Sequence, residues 1–180
     1  MFRLSIFSIT IIAVIHCLGP LQSQPQTKPA ERKPVLSLSG VRSQIKDRRV
    51  LRITNATDFE TLWREHKLGK SEMKRTPDNF EYLELNFDEA IVIAIFDGKS
   101  HSNEYSAPSI IETDRKLTLR IPSNLNQTGH DVQPDRQPWG IFVIPRTGKE
   151  IVLEQDARRL ITDNPLWKVW MTFPKVESKK

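Results

Sequence analysis

The stretch Ala90–Gly98, Ala-Ile-Val-Ile-Ala-Ile-Phe-Asp-Gly, constrains this chain more than any other. From Ile91 to Phe96 every side chain is apolar, and successive side chains of a strand point to opposite faces. A strand of this kind has no face suited to water, so it must lie centrally in a sheet with cover on both sides. Asp97-Gly98 then stops it with a turn signal. The rest of the sequence reads as the partners and covering that such a strand requires.

A second doubly apolar strand is expected at Ile141–Ile144, with Arg146-Thr147-Gly148-Lys149 turning it into Ile151-Val152-Leu153 as a hairpin. Arg49–Thr54 and Leu117–Ile121 alternate apolar and polar residues, the pattern of half-buried strands. Tyr105–Glu112 reads as a strand in which Pro108 marks an edge or a bulge. Between them, Thr57-Asp58-Phe59-Glu60 has the capping-box form, and Phe59, Leu62, Trp63 and His66 fall on one stripe of a helix spanning Thr57 to Lys67. Asn164-Pro165-Leu166-Trp167-Lys168-Val169-Trp170 suits a short helix or a strand equally, and its tryptophans read as packing residues. The fold class that follows is α+β: a single small domain with an antiparallel or mixed β-sheet and one short helix packed on it. The C-terminal segment is expected to cover the other face of that sheet.

At the start, Arg3 precedes the apolar run Leu4–Ile15 and a small-residue exit, the form of a secretory signal over residues 1–24. Cleavage near Ser23 is expected, with an uncleaved membrane anchor as the alternative. The sole cysteine, Cys17, leaves with that segment. A secreted or periplasmic protein without disulfides must rest on its own core, and cysteine catalysis and cysteine metal ligation are excluded. Residues 25–34 form a Pro/Gln-rich linker, residues 35–174 the folded domain and residues 175–180 a basic tail. Removing Arg3 lowers the net charge from +5 to +4, a mild excess that gathers at Arg42, Lys46, Arg48, Arg49 and Arg52. Such a cluster admits a polyanion or polysaccharide site, whereas export counts against nucleic acid as the partner.

Four features occur in order: Phe59-x-x-Leu62-Trp63-x-x-His66, the run Phe87–Gly98 with its polar turn and Tyr105, the following hairpin, and Pro138-Trp139-Gly140-Ile141-Phe142-Val143-Ile144-Pro145-Arg146. Together they resemble the C-terminal domain of the PrcB subunit of a secreted protease complex, over about residues 49–146. The resemblance implies a small exported domain that associates with or stabilises another secreted protein, such as a protease, with no catalytic residues to carry over. Asn103 and Glu104 stand where that family tends to have glycines before the aromatic residue.

Phosphate loops, dinucleotide fingerprints and a Gly-x-Ser-x-Gly elbow are absent. The remaining histidines are His66, His101 and His130. His66 on the apolar stripe reads as a core-edge residue bonded through one nitrogen. Asp97, His101 and Glu104 share one polar loop and are the best local set for a metal-dependent or acid-base hydrolase. His130-Asp131 lacks a serine elbow to act on.

The first expectation is therefore a non-catalytic accessory module without a cofactor. Its partner would be another exported or envelope protein, and it would touch the membrane only through an uncleaved signal. The binding surface is expected on the loops 99–105 and 124–139, with Tyr105 and Trp139 as aromatic anchors beside His101, Asn103 and Glu104.

Overall fold

The doubly apolar strand finds two different covers. A computed structural model of the chain describes residues 31–68, 83–100, 102–123, 136–158 and 162–175. The elements run in the order β1 (Glu31–Arg32), β2 (Leu36–Gly40), β3 (Arg49–Ile53), α1 (Ala56–Leu68), β4 (Ala90–Phe96), β5 (Ser109–Glu112), β6 (Lys116–Ile121), β7 (Trp139–Pro145), β8 (Glu150–Asp156) and β9 (Trp167–Phe173). They form a small, mostly β domain of two sheets and one helix. The four-stranded sheet has the order β2-β7-β4-β3, and the five-stranded sheet β1-β5-β6-β8-β9.

In β4 the side chains divide by parity. Val92, Ala94 and Phe96 face α1 and pack with Phe59, Leu62, Ile141 and Val143. Ile91, Ile93 and Ile95 face the second sheet and pack with Leu117, Leu119, Ile121, Ile151 and Leu153. The antiparallel register sets Val92 opposite Val143 and Ile93 opposite Phe142, so β7 repeats the same division. Each buried aliphatic or aromatic side chain of this kind contributes about 1.5–3 kcal/mol.

The second sheet is the main departure from the expected single sheet. The C-terminal segment supplies only its edge: β9 packs Trp170, Met171 and Phe173 against the core between the sheets. A register shift opposite Leu153 and Glu154 leaves Trp170 without a partner across the ladder, and the bulge lets Trp170 and Met171 both pack inward. The expected β7–β8 hairpin is not formed. β7 pairs with β2 and β4, whereas β8 pairs in parallel with β6 and antiparallel with β9, so residues 146–149 make a corner between sheets. Lys149 Nζ donates to Glu112 Oε1 at 2.7 Å and to the Thr113 carbonyl at 2.8 Å, pinning that corner to the β5–β6 turn.

Two boundaries also shift. The end of the expected linker, Glu31–Arg32, pairs with β5 and belongs to the five-stranded sheet. The helix starts earlier than expected: the Asp58 amide donates to Asn55 Oδ1 at 2.9 Å, and Asn55 Nδ2 donates back to Asp58 Oδ2 at 2.7 Å. Asn55 is thus the N-cap, and Glu60 instead pairs with Arg64 one turn on. Residues 1–24, with the expected signal segment, lie outside the described residues, among which no helix is long and apolar enough to cross a membrane. Urea unfolding should show Asn55→Ala costing about 1 kcal/mol, while Thr57→Ala stays within about 0.5 kcal/mol of the parent.

Candidate functional site

At the end of the four-stranded sheet where β4 finishes and β7 begins, three segments are joined: the loop after β4, the approach to β7 and the connection after β2. The Asp97 amide donates to the Pro138 carbonyl and the Ser100 amide to the Arg136 carbonyl, each at 3.0 Å. The Gln137 amide donates to the Val41 carbonyl at 2.8 Å, and Arg136 Nη1 donates to Asn103 Oδ1 at 2.6 Å. Gly98 makes the turn possible. Its φ is +68°, and a Cβ there would lie 2.3 Å from the Lys46 carbonyl oxygen.

The expected aromatic anchors are not on this surface. Tyr105 is 2% exposed and Trp139 8% exposed, and they lie on opposite faces of the four-stranded sheet. Tyr105 meets Phe142 edge-on between the sheets, with ring centroids 6.4 Å apart. Trp139 shares the parity of Ile141 and Val143 and packs on the helix side, where Gly40 opposite it leaves room for the indole. Asn103 is held by Arg136, and Glu104 is exposed. Asp97 is largely buried, with its carboxylate 3.8 Å from Arg48 Nε. His101, His130 and Asp131 lie outside the described residues, and so does most of the expected 124–139 loop. Among the described residues no three metal-ligating side chains gather.

The basic cluster is divided as well. Arg49 faces the helix and grips Glu65 with two bonds of 2.9 Å, which raises its pKa. Arg52 faces the other way, donating to the Pro174 carbonyl at 3.0 Å. Arg48 pairs with Asp97 and lies 5.0 Å from the centroid of the Trp170 ring. These three cations therefore do not form one face for a polyanion.

What the joined end does contain is a histidine-floored hollow. His66, on the last turn of α1, is 2% exposed and packs against Trp63, Phe96 and Trp139, the last with ring centroids 4.3 Å apart. Its Nδ1 is 2.9 Å from Ser43 Oγ, which also accepts the Ile45 amide at 3.0 Å. The Ser43 hydroxyl hydrogen finds no other acceptor among the described residues. We assign it to Nδ1, which places the imidazole proton on Nε2. Burial, reinforced by the neighbouring Lys67 charge, pushes the His66 pKa down to about 4. A base so weak is poorly matched to proton transfer near neutral pH, so the pair reads as a structural tie between α1 and the β2–β3 connection.

Around this tie, Arg42, Ser43, Gln44, His66, Lys67 and Gln137 line a hollow of about 420 Å³. Lys67 Nζ sits 4.9 Å from the Trp63 ring centroid and 5.8 Å from that of Trp139, so cation–π attraction holds it at the rim. A larger hollow of about 860 Å³ at the β7–β8 corner mixes four cations with three carboxylates, so its charges compensate locally. Sequence reading found His66 but not its partners. Ser43 is 23 residues away and carries no periodic signal, and Lys67 entered only as the end of the expected helix.

The chain matches no known family profile, no curated protein and no solved structure.

Two measurements test this geometry. Unfolded His66 takes up a proton below about pH 6.5, which the folded protein refuses until about pH 4, so stability should fall as pH drops through that window, by up to about 3 kcal/mol. Urea unfolding followed from about pH 7 to about pH 4 should show this slope in the parent and a shallower one in His66→Phe. Gly98→Ala should cost on the order of 2 kcal/mol or more, read in the same assay, because it combines a left-handed residue with a backbone clash.

Proposed function

We propose that this chain is an exported, non-catalytic accessory module that binds another exported or envelope protein, such as a secreted protease. The observation that carries the reading is the joined end of the four-stranded sheet. Loops from separate elements are fastened there by the Asp97, Ser100, Gln137 and Arg136 hydrogen bonds. Exposed Arg42, Lys67, Lys99 and Glu104 stand on that frame. A surface whose loops are already ordered loses little conformational entropy on association, the usual condition of a rigid docking face. The frame replaces the aromatic anchors as the basis for binding, since Tyr105 and Trp139 are committed to packing. The ordered resemblance of residues 49–146 to the PrcB C-terminal domain supports the same reading and gives the partner class.

The test is affinity capture from envelope and culture fractions with the tagged full chain, beside a Lys99→Glu/Glu104→Arg variant that keeps the net charge. One exported protein should be enriched by the parent, lost at least about tenfold with the variant, and rebound when purified and mixed with the parent. Equal recovery by both baits overturns the proposed face.

A further inference from the structure

The hollow beside this frame has an unusual charge composition. Two of its lining side chains, Arg42 and Lys67, are cations, and none is a carboxylate. Neither cation makes an ion pair among the described residues, while neighbouring cations are committed: Arg48 to Asp97, Arg49 to Glu65 and Arg136 to Asn103. Gln44 and Gln137 add side-chain amides, and Ser43 and His66 close the floor. Cations favour the C-terminal end of a helix, and Arg42 and Lys67 answer the α1 dipole in part. A helix end carries roughly half a negative charge, which leaves an excess of about one and a half positive charges facing the hollow.

We propose that this hollow is a carboxylate-binding subsite, which receives an acidic side chain or the C-terminal carboxylate of the partner protein. The excess charge is enough to balance the single negative charge of a carboxylate. The amide groups supply neutral donors, and Lys67 is already oriented by Trp63 and Trp139 before any ligand arrives. Guanidinium, ammonium and amide donors around one concavity are what a carboxylate needs to exchange its water shell without losing hydrogen bonds. The assignment of the carboxylate to a protein rests on the module reading above; the affinity of the hollow for a carboxylate does not.

Amide chemical shifts of the full chain are followed at constant ionic strength with three probes. These are a blocked tripeptide with central glutamate, a tripeptide with a free C-terminal carboxylate, and a blocked tripeptide with central glutamine. Saturable shifts at Gln44, Lys67 and Gln137 are expected with one or both carboxylate probes and not with the neutral one, and the tighter of the two names the source. Lys67→Gln and Arg42→Gln, both at exposed positions, should each weaken binding by about tenfold. Shifts spread over the surface, equal binding of the neutral probe, or variants that bind like the parent each overturn the subsite. If the titration fails while capture succeeds, the subsite falls and the module stands. If the titration succeeds while capture fails, the hollow is a carboxylate site and the protein-binding reading falls.

Discussion

Everything in this fold depends on keeping both faces of β4 dry. Ile91, Ile93 and Ile95 need one apolar layer, and Val92, Ala94 and Phe96 need another. The chain meets the first need with the β5, β6, β8 and β9 strands, and the second with α1 and the residues leading into β4. Because β7 alternates in the same way, the two cores share a wall only one strand thick. A change of volume at Phe142 or Ile141 is therefore felt through the backbone by the opposite core, since close-packed interiors transmit strain.

The same geometry explains what could be read from the residues and what could not. β4 and β7 were legible because each is a short apolar run rich in β-branched residues and bounded by turn formers, which favours a strand covered on both faces over a helix. The α1 stripe was legible because Phe59, Leu62 and His66 recur at helical spacing and do bury. The second sheet was hidden, because its strands are half-apolar one by one and only their long-range pairing makes a layer. Arg146-Thr147-Gly148-Lys149 misled for a related reason: a turn signal says that the chain reverses, not which sheet it enters next. Asn55 and Thr57 are both good caps two residues apart, and the reciprocal bond with Asp58 decides between them.

For the site, side-chain chemistry alone pointed the wrong way. Trp139 and Tyr105 flank loops, which suggested anchors, yet the parity of β7 turns Trp139 inward and the small Gly140 leaves Tyr105 to fill the space beside Phe142. The loops after β4 and before β7 do meet, through backbone hydrogen bonds that no residue type encodes. The Ser43–His66 contact adds the helix end to that assembly and so gives the hollow its floor.

The parallel pairing of β6 with β8 has a consequence for how the chain reaches this structure. Between those two strands lies β7, which belongs to the other sheet. The five-stranded sheet therefore has no local route to its central pairing, since the intervening segment must cross to the opposite layer and return. Contacts of this separation place the chain among domains dominated by non-local pairing, which fold in roughly milliseconds to seconds. During that interval the apolar face of β4 awaits its second cover. A chain with this topology is at its most vulnerable to aggregation before β8 and β9 have closed over the isoleucines.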